Sequence, residues 1–162
     1  MESKFNFTSY LVLALICGFA YVAFLIIPGF FNDPYYDDKL FPKIFIPSLV
    51  FFSFIYLVFG ELRTKIIIIK IQPNEIIIKR FFGLKTEVYK NSEINGWVIS
   101  YLTAQGGTYE YLYLKKEKRK VIKISQFYHK NYFQLKKEIK GKFKDLGYEK
   151  FSFIDEFKEI FI

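Results

Sequence analysis

The sequence predicts two transmembrane helices followed by an α+β domain, in which about six to seven antiparallel strands are capped by a C-terminal amphipathic helix. Three observations lead there. Two long uncharged apolar runs fill most of the first 60 residues, short β-branched and aromatic runs separated by turn residues occupy 64–125, and the spacing becomes helical after Asn131. Hydrophobic residues make up 52% of the 162 positions, only slightly above a soluble average. Their distribution, not their total, decides the class.

Every position in 5–32 is uncharged, and its centre, 10–27, reads YLVLALICGFAYVAFLII. About 20 helical residues at ~1.5 Å each cross a hydrocarbon core about 30 Å thick, so a first helix is expected over 8–30. The run begins near the N-terminus, as a signal peptide would. It is longer than a signal h-region, however, and its exit, Pro28-Gly29-Phe30-Phe31, lacks a small-residue cleavage pattern. A second helix is expected over 44–60, where Pro47 falls in the first turn and is tolerated.

Between them, 32–43 (NDPYYDDKLFPK) carries Asp33, Asp37 and Asp38. Their spacing lacks the alternating ligands and glycine of a calcium loop; they read as an acidic outer loop, with Tyr35 and Tyr36 as interfacial anchors. Residues 1–60 make up the membrane anchor. They hold Lys4, Lys39 and Lys43 against four acids, whereas the chain as a whole is +8, so the lysine excess lies entirely after Gly60. The positive-inside rule then puts 61–162 in the cytoplasm, with the N-terminus on the same side.

The stretch 64–83, TKIIIIKIQPNEIIIKRFFG, is rich in isoleucine, but Lys65, Lys70, Glu75, Lys79 and Arg80 interrupt it too often for a third span. Isoleucine suits a pleated surface, and Gln72-Pro73-Asn74 divides the run, so a β-hairpin of 65–71 and 75–82 is expected. Further strands are expected at 85–90, 94–101, 108–115 and 120–125, each bounded by turn residues. From 131 to 146, Tyr132, Leu135, Ile139, Phe143 and Leu146 recur at three- and four-residue spacing before Gly147, which predicts the capping helix. Ser152 and Asp155 have capping-box spacing, which predicts a short final helix over 153–161.

In the hairpin IIIIKIQPNEIIIKRFFG, the segment YKNSEINGW (89–97) and ISQFYHKNYFQLKKEI (124–139), the chain resembles bacterial pleckstrin-homology-like domain proteins of the small two-pass membrane type. That resemblance implies a PH-like antiparallel β-sandwich or barrel with one end plugged by a helix, set at the bacterial cytoplasmic membrane. It implies no particular activity. The chain departs from lipid-binding members, which place spaced basic residues around the first hairpin loop, because Gln72-Pro73-Asn74-Glu75 is neutral to acidic. Specific phosphoinositide recognition is therefore not expected.

One cysteine, Cys17, lies in the first apolar run, and one histidine, His129, precedes the capping helix. With so little material for thiol–histidine or multi-histidine chemistry, neither catalysis, a metal site nor a cofactor is expected. Cys17 reads as a small residue facing lipid or helix, and His129 as an exposed residue at the helix entrance. Gln105-Gly106-Gly107 reads as a flexible hairpin loop. The lysines are spread through strand and helix periodicity and not gathered on a recognition helix, so no nucleic-acid partner is expected.

Only 60–63 separate the second span from the first strand, a reach of at most ~14 Å. The domain is thus held at the membrane, where Arg63, Lys65, Lys115, Lys116, Lys118 and Arg119 are candidate contacts to anionic headgroups, without lipid specificity. The expected function is a non-catalytic, membrane-tethered module offering its β-domain to a protein partner. The alternative is a lipid-engaging or accessory subunit of a membrane transport or envelope complex, with the spans as its binding surface.

Overall fold

A computed structural model of the chain describes residues 1–104, 106–117 and 119–158. Two long helices come first. Helix α1 spans Phe7–Asn32, and α2 spans Leu40–Ile55 and continues as a π-helical segment over Tyr56–Leu62. Both Phe7–Asn32 and Leu40–Leu62 are long and apolar enough to cross a membrane, and their most apolar windows are only 6% buried. A helix that is hydrophobic and bare along its length suits a bilayer better than a protein core.

The second helix is longer at both ends than the apolar run alone suggests. Lys43, taken as part of the loop, lies in its first turn and reaches back to Asp37 at 3.0 Å. At the other end no extended linker forms. The amides of Lys65 and Ile66 both donate to the carbonyl of Glu61, at 2.9 and 3.2 Å, so the chain keeps turning through Ile66 after the helix ends at Leu62. Strand β1 therefore starts at Ile68, three residues later than the isoleucine pattern indicates.

Seven strands follow: β1 (Ile68–Ile71), β2 (Glu75–Arg80), β3 (Lys85–Lys90), β4 (Gly96–Ala104), β5 (Gly107–Lys116), β6 (Arg119–Ser125) and β7 (Asp145–Tyr148). They form a three-stranded sheet, β1-β2-β3, and a four-stranded sheet, β6-β5-β4-β7, antiparallel except for the parallel β4–β7 pair. Neither closes into a barrel. Alternation does the sorting: Ile69 and Ile71, Ile76 and Ile78, and Leu112 and Leu114 point into one core, while Tyr111 and Tyr113 point to the opposite face of β5.

Helix α3 (Tyr132–Lys142) fills that core with Tyr132, Leu135 and Ile139, each at most 1% exposed. It stops four residues before the expected end. The chain instead turns onto β4, where Trp97 donates its amide to the Lys144 carbonyl at 2.9 Å, and 145–148 become β7. Gly96 makes this approach possible, since a Cβ there would lie 2.4 Å from the Lys144 oxygen. Phe143 still packs into the core from the helix cap, whereas Leu146 is exposed. A last helix, α4 (Phe153–Lys158), starts where Ser152 Oγ accepts the Asp155 amide at 3.2 Å; the expected 159–161 lie outside the described residues.

The domain does not begin at residue 61. Residues 1–6 run along the free edge of β1: the Ser3 amide donates to Ile69 O at 2.8 Å, and the Ile71 amide donates to Met1 O at 2.7 Å. On its other side this strap meets 127–131, where Lys130 donates to Lys4 O and the Asn6 amide to Tyr128 O, both at 2.8 Å. The membrane anchor and the β-domain therefore share strand pairing as well as a covalent junction.

Because Ile139 is fully buried against both sheets, Ile139→Ala should cost about 2 to 5 kcal/mol. Urea unfolding of the detergent-solubilised chain, followed by fluorescence of the buried Trp97, measures it. An unchanged midpoint would mean that α3 does not close the core.

Candidate functional site

A group of buried charges lies where the second helix enters the β-domain, apart from Glu110, which is buried against Lys136 and the Tyr132 hydroxyl. Glu61, in the π-helical turn, accepts from Lys65 Nζ at 2.7 Å, from the Tyr128 hydroxyl at 2.6 Å and from the Tyr56 hydroxyl at 3.4 Å. Lys65 also faces Glu156 of α4 at 3.2 Å, and Glu156 is bound in turn by Lys123 of β6 and by the Tyr113 hydroxyl. The side chains of Lys65 and Lys123 are 8% and 5% exposed. Three segments far apart in sequence, the end of the second helix, β6 and α4, meet in two amines and two carboxylates.

The charges balance, and the protonation equilibria shift accordingly. Burial alone would lower the Lys65 pKa, but the Glu61 and Glu156 carboxylates outweigh it and hold the ammonium well above its ordinary range. Glu156 moves down: burial opposes its ionisation, and Lys123 and Lys65 more than compensate. The Tyr128 phenol is pushed up, first by burial and then by the Glu61 carboxylate that its hydroxyl serves as a donor. Every charge is answered by an opposite charge or a hydroxyl, an arrangement suited to holding elements together.

Above this cluster the last segment crosses the outer face of the four-stranded sheet. Lys115 and Lys120 grip Glu149 at 2.6 and 2.8 Å, and Phe151 packs near Tyr111 with ring centroids 5.7 Å apart. On the other side Arg80 of β2 joins three elements, binding Glu87 at 3.2 Å, Arg63 O at 3.0 Å and Val121 O at 3.3 Å. That guanidinium fixes the exit of α2 beside β6.

The candidate membrane contacts divide. Lys65 is turned inward, because the chain keeps turning after the helix and places it beside Glu61. Lys115 and Lys116 are engaged by Glu149 and by Glu93, the latter at 3.1 Å. Arg63 is half-buried, with its guanidinium 5.9 Å from the Phe59 ring. Arg119 is exposed, two positions before Val121. Lys118 and Gln105 lie outside the described residues.

His129 also corrects the reading from sequence. It is 1% exposed, with Nδ1 3.0 Å from Ser125 O and Nε2 3.0 Å from Ile67 O, beneath the strap residue Phe5. Burial pushes its pKa below the ordinary value, against the smaller opposite effect of the two carbonyls. Sequence reasoning missed the strap and the Glu61–Lys65–Glu156 group altogether. The i,i+4 pair of Glu61 and Lys65 was the available signal. Neither a family model, a curated protein nor a solved structure matches the chain.

Lys65→Met leaves two buried carboxylates short of a cation and should destabilise the domain by about 3 to 5 kcal/mol, measurable by urea unfolding. A double-mutant cycle of Lys65→Met with Glu156→Gln should show strong coupling; additive losses would contradict a direct pair.

The pH dependence follows from depressed values at His129 and at three carboxylates, Glu156, Glu87 and Glu149. His129 binds its proton more readily when unfolded, so stability falls as pH drops below ~6.5, and Glu156 adds a second loss below ~4.3. Glu156→Gln should reduce the second loss, to which Glu87 and Glu149 also contribute, and leave the first. Urea midpoints across pH 3 to 8 check both, and a midpoint flat over that range would refute the assignment.

Proposed function

We propose that the chain is a non-catalytic, membrane-tethered module whose PH-like β-domain is held at the cytoplasmic face and offered to a protein partner. The fixed joint is the observation that carries this reading. The N-terminal strap and the Glu61–Lys65–Glu156 group tie both ends of the helical pair to the β-domain. The strap also bears on processing: residues 1–6, which signal cleavage would remove, cover the edge of β1. Their pairing supports a retained first span and both termini on one side.

One sheet edge suits partner binding. The strap covers β1, but no other strand pairs with the outer edge of β3 among the described residues, and Val88 on that strand is 53% exposed. An extended segment can add to such an edge through its main chain. The second reading, with the spans as the binding surface, draws on Gly18. A Cβ there would meet nothing within 4 Å, so the close approach that glycine allows is not used by α2.

Two substitutions in the full chain discriminate between the readings. A photoreactive side chain at Lys90, on the same exposed face of β3, should crosslink in membranes to a discrete protein that is no longer captured when Val88→Lys is added, while Gly18→Leu leaves capture intact. Loss through Gly18→Leu alone would favour the spans. Topology is checked in a Cys17→Ala background: Tyr35→Cys should react with an impermeant thiol reagent from outside and Lys90→Cys, exposed at the far end of β3, should not. The reverse pattern would overturn the cytoplasmic placement.

A further inference from the structure

The tip of the β2–β3 hairpin is built in an unusual way. A tight hairpin turn ordinarily uses Asn, Asp or Gly where φ is positive, yet here Phe81, Phe82 and Gly83 take φ of 49°, 57° and 105° in succession. Two phenylalanines held in the left-handed region cost energy that surrounding contacts must offset. Those contacts are with the end of the second helix and with the N-terminal strap. Phe81 meets Phe59 edge to face at 6.4 Å, and Phe82 meets Phe5 at 6.4 Å.

These neighbours set the height of the tip. Phe59 belongs to the apolar segment Leu40–Leu62, three residues before its end, and Phe5 lies two residues before α1 begins at Phe7. The hairpin therefore ends level with both helix termini. Its outward residues are apolar, Phe82 being 50% exposed and Leu84 91% exposed. Beside them Lys79 is exposed and has no ion pair among the described residues, whereas Arg80 is committed to Glu87, Arg63 and Val121.

From this geometry we infer that the β2–β3 tip is a third membrane contact: Phe82 and Leu84 enter the headgroup and upper acyl region beside α2, and Lys79 faces anionic headgroups. An apolar tip flanked by a cation, held where two spans leave the bilayer, matches the chemistry of that layer. The strained turn aims the hydrophobic residues at lipid. The inference rests on α1 and α2 spanning the bilayer.

The test places a nitroxide on single cysteines of the full Cys17→Ala chain, reconstituted in vesicles of phosphatidylcholine and phosphatidylglycerol. Collisions with oxygen, which concentrates in hydrocarbon, are compared with collisions with a water-soluble nickel chelate. Leu84→Cys is the reporter. Lys90→Cys, exposed at the other end of β3 and ~20 Å away along the strand, is the aqueous control, and Phe24→Cys within α1, 79% exposed, is the hydrocarbon control.

Immersion of the tip predicts a loss of nickel collisions and a gain of oxygen collisions at Leu84 relative to Lys90. Leu84 behaving like Lys90 would overturn the inference while leaving the spans intact. So would shielding from both agents, which signals packing against protein. Nickel access at Phe24 would overturn the spanning reading and the tip contact with it.

Discussion

Glu61 is the constraint around which the molecule is organised. A carboxylate at the end of a long apolar helix and beneath a packed domain is costly unless it is paired and hydrogen-bonded. Lys65 supplies the cation from the next turn, and Tyr56 and Tyr128 supply hydroxyls. The Lys65 ammonium has donors to spare after Glu61, so it also meets Glu156, whose charge Lys123 balances, and α4 is held against the sheet. The turn through Ile66 and the seat of the last helix are both tied to this balanced group.

Much of the β-domain was legible from pattern. Isoleucines alternating across a pleat, a Gln-Pro-Asn break and β-branched runs of strand length specify β2 to β6 closely, because these signals are local. The start of β1 was not, since Ile66 and Ile67 look like strand whether or not the chain keeps turning after the helix. Nor was the end of α3: Phe143 fits helical spacing and is buried, but Gly96, nearly fifty residues earlier, lets the chain close onto β4 instead.

The junction was the least legible part because its partners are remote. Nothing near Lys65 indicates that Glu156 will meet it, so a lysine beside a membrane helix reads as a headgroup contact. His129 follows the same logic. Its burial depends on the Ile67 carbonyl and on strap residues more than 120 positions away, so no local rule separates it from an exposed helix-entry histidine. The strap itself is short and of mixed polarity. Its strand-like role comes from the vacant edge of β1, which pairing satisfies and which would otherwise invite another chain.

The two classes of tie also differ in how they respond to conditions. Strap pairing is largely main-chain hydrogen bonding, with His129 as the titratable group beneath it, while the Glu61–Lys65–Glu156 group depends on ionisation throughout. Holding the domain by both means fixes its orientation as well as its distance from the helices. A flexible linker would raise the local concentration of the domain at the membrane but let it tumble. With the joint fixed, the open edge of β3 and the hairpin tip keep constant positions relative to α1 and α2. A partner that reads edge and helices together then meets a preorganised surface, and the entropic cost of aligning them has already been met in folding.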